Sequence, residues 1–142
     1  MRVVLDTNIW ISGILKPQGS AGRLLEAWRF QRFDIVLSPY ILMEIEQVLS
    51  YPKILKRIQW NKEKIKTYVN YLAFFAEVIT PKEIRIEVAS DPKDTPILAV
   101  FIESGANYLI TGDDDLLSMR DQYAILSLTE FLLLIEDSLA TA

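Results

Sequence analysis

The residues of this chain that could do chemistry are its carboxylates. Asp6 ends the short apolar run Arg2-Val3-Val4-Leu5, and Glu44 and Glu46 lie in the stretch 39–49. Asp94, with Asp91 close by, opens an apolar segment after a loop, and Asp113, Asp114 and Asp115 follow Tyr108-Leu109-Ile110-Thr111-Gly112. A single Asp at the end of a strand is most often a helix N-cap, and Asp94 suits that role. Three consecutive acids are harder to assign to capping. Like charges about 4 Å apart cost roughly 1 kcal/mol per pair in water and about 4 near a protein surface, so such crowding anticipates a cation or a retained proton. The chain has no histidine and no cysteine, which removes the commonest general base, the thiolate ligands and any disulfide framework. A metal here would have to be held by oxygen, which points to Mg²⁺ or Mn²⁺ rather than zinc. Two hard divalent ions on such a set can activate a water and stabilise the leaving oxygen in phosphodiester hydrolysis.

Positioning these acids requires strands that end at one edge. The run 2–5 reads as a strand buried on both faces, the kind found in parallel sheets. In open α/β sheets ligands sit beyond the carboxyl ends of the strands, so Asp6 stands at the functional rim. A short helix is expected over 9–15, then one from a Ser20 cap through about Phe30 with Leu24, Leu25 and Trp28 inward. Phe33–Leu37 reads as a second strand, and Ser38-Pro39 as an N-cap with proline at the first helical position. The helix 39–49 carries Ile41, Leu42, Ile45, Val48 and Leu49 on one face. Glu44 and Glu46 flank that stripe on opposite sides, and periodicity does not choose between them.

Pro52 opens a short helical piece, and Asn61 caps a longer one through about Val78, with Ile65, Tyr68, Val69, Leu72 and Phe75 or Ala76 inward. Strand segments are expected at 78–80 and 84–88. A helix over 97–104 stops at Gly105 in the C′ position, with Asp94 or Thr95 as its N-cap. Strands follow at 108–111 and 124–127, and Thr129 caps a last helix with Phe131, Leu132 and Ile135 inward. Alternating strands and helices imply βαβ units and a mostly parallel α/β sheet of about four to five strands.

At 142 residues, 51% hydrophobic and 24% charged, the chain is expected to form one domain with a self-sufficient core. A net charge of −4 is not the profile of a simple nucleic-acid binder, although a nuclease whose acids are offset by bound ions can have it. The N-terminal apolar run is broken by Asp6 and Asn8, unlike a signal peptide, and the late run 131–135 is too short to span a bilayer. A soluble cytoplasmic protein with no membrane association is expected. Lys53, Lys56, Arg57, Lys62, Lys64 and Lys66 place six of the fifteen cations within 53–66, beside Trp60. They read either as an RNA-guiding edge with Trp60 as a stacking face or as a solvated pair of helices with the tryptophan tucked underneath.

In this order, Leu5-Asp6-Thr7-Asn8, Ser38-Pro39 with Glu44, Asp91-Pro92-Lys93-Asp94 and Ile110-Thr111-Gly112-Asp113-Asp114-Asp115-Leu116-Leu117, the chain resembles the PIN-domain family. More narrowly, it is similar to small single-domain members assigned as toxins of toxin–antitoxin pairs. The likeness covers essentially the whole length. It implies a parallel sheet sandwiched between helices and a metal-dependent endoribonuclease acting on single-stranded RNA. It maps the family's metal-binding acids onto Asp6, Glu44, Asp94 and Asp113, with Asp115 as a frequent extra, and so selects Glu44 over Glu46. Thr7, Asn8 and Thr111 match small polar positions that order the site and its water. Asp91 matches a position that is often acidic without being a ligand. On this reading Asp6, Asp94 and Asp113 anchor a first Mg²⁺ or Mn²⁺, Glu44 bridges or orients a second ion and its water, and the product carries a 5′-phosphate. A homodimer and an antitoxin protein are the partners the resemblance implies.

Two other readings compete. A non-catalytic RNA- or protein-binding module could keep the fold, although such a relic would be expected to have lost one of the acids. An aspartyl-nucleophile phosphatase built on Asp6 would want a second Asp two residues later, where Asn8 stands, together with a lysine partner.

Overall fold

Val3, Val4 and Leu5 are wholly buried, which is what a strand covered on both faces requires. This strand, β1 (Arg2–Leu5), lies at the centre of a five-stranded sheet in a computed structural model that describes residues 1–82 and 92–140. On one side it pairs with β2 (Asp34–Leu37), with Val3 opposite Ile35; on the other it pairs with β4 (Tyr108–Ile110), with Leu5 opposite Ile110. The two-residue strands β3 (Glu77–Val78) and β5 (Ile125–Leu126) flank β2 and β4. All pairings are parallel and the order is β3-β2-β1-β4-β5. The chain winds outward from β1 to β2 and β3, then returns on the far side of β1 as β4 and β5. The strand order therefore reverses between β1 and β4, and the crevice beyond their carboxyl ends is where such sheets bind ligands. Asp6 and Thr111 are the first residues past those two ends.

Helices flank the sheet: α1 (Thr7–Leu15), α2 (Ser20–Arg29), α3 (Pro39–Leu49), α4 (Pro52–Ile58), α5 (Lys62–Phe75), α6 (Thr95–Ser104), α7 (Asp114–Leu117) and α8 (Leu128–Ala140), with a 3₁₀ turn at Pro92–Asp94 before α6. Several ends form as the residues dictate. Ser38 Oγ accepts from the Ile41 N–H at 3.2 Å, Asn61 Oδ1 accepts from the Lys64 N–H at 2.8 Å, and Gly105 closes α6 at φ +67°. At Gly22 a Cβ would stand 2.0 Å from the Pro17 carbonyl oxygen, so the turn from α1 into α2 has no room for a side chain. The indole of Trp10, wholly buried, meets that of Trp28 edge-on at 5.6 Å. Each such large apolar side chain contributes on the order of 1.5–3 kcal/mol by burial. None of the described helices is long and apolar enough to cross a membrane.

Three expectations are corrected. Ser20 is the first helical residue of α2 and Gly19 holds the cap position. The last helix is opened by a reciprocal box, not by Thr129: Ser127 Oγ accepts from the Glu130 N–H at 3.2 Å and Glu130 Oε1 accepts from the Ser127 N–H at 3.0 Å. And α5 ends at Phe75 rather than near Val78, leaving Phe75 exposed. The chain is drawn straight at 77–78 because Glu77–Val78 pairs with β2, while the Arg2 guanidinium donates to both Glu77 carboxylate oxygens at 2.8 and 2.9 Å and to the Ser104 carbonyl at 2.7 Å. The strand expected at 84–88, and Asp91, lie outside the described residues.

Candidate metal centre

Asp6 is 4% exposed. Its backbone N–H donates to the Ile110 carbonyl at 3.0 Å, extending the β1–β4 ladder by one residue. It occupies the cap position of α1, yet its side chain makes no well-formed capping bond. Instead Oδ2 accepts from the Thr111 hydroxyl at 2.8 Å. The same hydroxyl oxygen accepts from the Asp113 N–H at 3.0 Å. Thr111, fully buried, thus fixes the strand-end Asp6 against the loop that carries the acid triple. Burial pushes the Asp6 carboxyl above its ordinary value, and the charges of Asp113 and Glu44 push the same way. The Thr111 bond and the nearby Asn8 N–H oppose them. A carboxylate with these neighbours is one that a cation would relieve.

The triple divides by direction. Asp113 caps α7, its Oδ1 accepting from the Asp115 N–H at 3.1 Å. Asp114 points to solvent. Asp115 turns back, so that one carboxylate oxygen from each of Asp94, Asp113 and Asp115 lies within 4.8 Å of the others. Asp94 is 6% exposed and stands at the cap position of α6, but its backbone is αR and its side chain makes no capping bond. Capping does not account for Asp94, although the sequence allowed it to. The donor set fits a hard divalent cation: all oxygen, one member buried, two half-buried, in a chain with no histidine and no cysteine.

Glu44 and Glu46 are both half-buried on α3. Only Glu44 acts on Asp6 by its charge, which puts it at the crevice. One turn earlier, Tyr40 has its phenol pushed above its ordinary value by burial, by a hydrogen bond to Glu44 and by the Glu44 charge. Tyr40 was absent from the sequence reading, and the only signal for it is its i, i+4 spacing from an acid. Thr7 is 2% exposed and its hydroxyl has no hydrogen-bond partner among the described residues, whereas Asn8 is exposed.

Lys53, Lys56 and Arg57 are exposed on α4, and Lys62, Lys64 and Lys66 on α5. None belongs to the acid cluster. Trp60 is half-buried, 5.3 Å from the Tyr68 ring, with Lys64 Nζ 4.8 Å above its own ring. Tyr68 and Lys64 thus contact the Trp60 ring from within the protein.

Residues 2–115 match the family model described as PIN domain. An uncharacterized protein of Methanocaldococcus jannaschii is 33% identical over 122 residues, spanning 86% of this chain and 77% of its own. Among solved structures, VapBC2 from Rickettsia felis, crystallised bound to a DNA fragment from their promoter, aligns with a TM-score of 0.63 at 20% identity, covering 89% of this chain and 98% of that one. The strand order, the acids gathered beyond β1 and β4 and the family match agree: the chain belongs to the PIN-domain family.

Proposed function

We propose that this chain is a single-domain, divalent-metal-dependent endoribonuclease that hydrolyses phosphodiester bonds of single-stranded RNA, and that it serves as the toxin of a toxin–antitoxin pair. The observation that carries the reading is the carboxylate cluster at the point where strand order reverses, with Asp6 locked beside it by Thr111. Asp94, Asp113 and Asp115 would hold Mg²⁺ or Mn²⁺, with Asp6 next to them and Glu44 facing Asp6. Bound there, the ion would activate water and offset the charge that builds on the phosphate and leaving oxygen.

The protein's own residues do the positioning. Thr111 holds the Asp6 carboxylate in one orientation, and its bond to the Asp113 N–H keeps the loop and strand end in register. Tyr40 stands beside the Glu44 carboxylate, which would accept a proton from the attacking water on this reading. Water adds to phosphorus, the bond to the 3′-oxygen breaks, and the new 5′ end carries the phosphate. The lysines and the arginine at 53–66 would draw the RNA backbone in. An antitoxin partner is supported by the fold neighbour solved as VapBC2. Exposed Phe30, Phe74, Phe75 and Leu133 offer apolar surface for that partner or for a homodimer. A cytoplasmic location accords with this role.

The test is cleavage of labelled single-stranded RNA and DNA with Mn²⁺, Mg²⁺ or EDTA, comparing the wild type with Asp94→Asn. RNA cut only with metal and only by the wild type is expected, with unchanged circular dichroism in the variant. Cleavage retained by Asp94→Asn would overturn the assignment.

A further inference from the structure

Away from the acids, a groove of about 590 Å³ opens between α2 and the start of α5. None of Asp6, Glu44, Asp94, Asp113 or Asp115 lines it. Ile14, Pro17 and Leu25 line one part of it, and the rest of the wall is aromatic: Trp28 and Tyr71 sit 6.3 Å apart edge-on, Tyr71 and Tyr68 stack at 6.3 Å, and Tyr68 leads on to Trp60. Exposed Arg29 and Lys64 stand on its rim, with Thr67 and Glu26 as the other polar groups.

We infer that this groove is a second RNA subsite, in which one unpaired nucleobase rests against the aromatic wall while its flanking phosphates meet Arg29 and Lys64. The inference rests on the ribonuclease reading and adds where the strand is held outside the cleavage centre. Volumes of a few hundred cubic ångströms, apolar walls and a few convergent polar groups are what small planar ligands occupy. Every base has a π-face, so stacking on tyrosine and tryptophan tolerates sequence, and cations along the path bind the backbone. Thr67, Glu26 and the two phenols are the groups that could read a base edge. A peptide helix could also use an apolar groove. Arg29 and Lys64 on its rim favour a polyanion, and the Trp28–Tyr71–Tyr68 side of the groove suits a planar base.

Two of the chain's three tryptophans, Trp28 and Trp60, line the groove, so binding has a direct optical readout. In EDTA, where no cleavage occurs on the proposed mechanism, short labelled oligouridine and oligoadenosine would be titrated with tryptophan fluorescence and anisotropy followed together. Wild type and Asp113→Asn should both bind with quenching. Tyr71→Leu should weaken binding about tenfold or more, the size expected for losing one stacked base, and Lys64→Glu, an exposed change of charge, should weaken it as well. Lys64→Glu should also flatten the salt dependence by about one unit of slope. With metal restored, Lys64→Glu should raise KM far more than it alters kcat.

Binding equal to wild type in Lys64→Glu and Tyr71→Leu would overturn the subsite while leaving the nuclease reading in place. Quenching by RNA without cleavage under any metal would retain the subsite and remove the nuclease reading. Quenching by an acidic amphipathic peptide and not by RNA would assign the groove to a protein and overturn the inference.

Discussion

Replacing Asp115 by Asn should make the metal-free protein more stable, and the size of the gain follows from the cluster. One oxygen from each of Asp94, Asp113 and Asp115 lies within 4.8 Å of the others. At that separation a pair of unit charges repels by about 0.9 kcal/mol in bulk water and about 3.5 at an effective dielectric of 20. Asp113 and Asp115 are half-buried, so the water end of that range is the safer one. Asp115→Asn removes two of the three pairs, about 1.7 kcal/mol, and gives up roughly 0.3–1 kcal/mol of favourable interaction between Asp115 and the start of α7. The net is a gain of about 1 kcal/mol, or roughly 2–4 °C in Tm for a chain of this size. Low ionic strength is needed, because the Debye length is only about 10 Å at 0.1 M.

Adding Mn²⁺ reverses the comparison. At a hundredfold excess over Kd a bound ion stabilises the wild type by about 2.7 kcal/mol, and the variant, short of one ligand, should gain much less. Thermal melts of both proteins in EDTA and in Mn²⁺ read all four values. A variant no more stable than wild type in EDTA, or an identical metal shift in the two proteins, would refute the view that these three carboxylates are held together for a cation.

Other perturbations have equally direct readouts. Thr111→Val keeps the shape but leaves the Asp6 carboxylate and the Asp113 N–H without their shared partner; stability should fall by about 1–3 kcal/mol in denaturant melts, and RNA cleavage should fall with it. Tyr40→Phe removes the phenol beside Glu44; loss of a hydrogen bond worth about 1 kcal/mol predicts a fall in kcat of about fivefold with the melting temperature unchanged. Glu130 is lowered from 4.5 to about 2 by the Ser127 N–H, the Arg120 side chain and the Ser127 hydroxyl. A depressed carboxylate stabilises the fold above its unfolded value, and that contribution is lost as pH falls through the folded one. The Tm advantage of wild type over Glu130→Gln should therefore be present near neutrality and vanish as pH drops from 4.5 toward about 2; a constant difference would show that the charge is not what matters in the box.

Much of the fold was legible because it is written locally. Ser38-Pro39, Asn61 and Gly105 end their helices where the sequence places them, since each cap depends only on residues within one turn. The end of α5 was not legible. It is set by Glu77–Val78 pairing with β2, together with Arg2 meeting Glu77 from 75 positions away in the chain, and no local window contains those contacts. Glu44 against Glu46 was undecidable from periodicity for the same kind of reason. Both flank the apolar stripe, and only the packing of α3 beside the crevice turns one of them toward Asp6. Within the triple, one residue of helical rotation separates an acid that joins the cluster from one that faces water, which the letters Asp-Asp-Asp do not reveal.

The site itself is marked by a local rule that fails. Asp6, Asp94 and Asp113 all hold helix cap positions, where aspartate is among the preferred residues because its oxygen accepts the free N–H groups. Only Asp113 does so with good geometry. Asp6 gives its oxygen to Thr111 and is penalised by burial, and Asp94 is buried beside two other carboxylates. A serine at either position could cap as well without placing a charge where it is repelled. Local preference and global packing normally agree, and the positions where they part are those used for something else. Here the two non-capping aspartates and the crowded third converge on the crevice between β1 and β4, so the sequence rule is obeyed in residue type and broken in use at the place where a cation would be held.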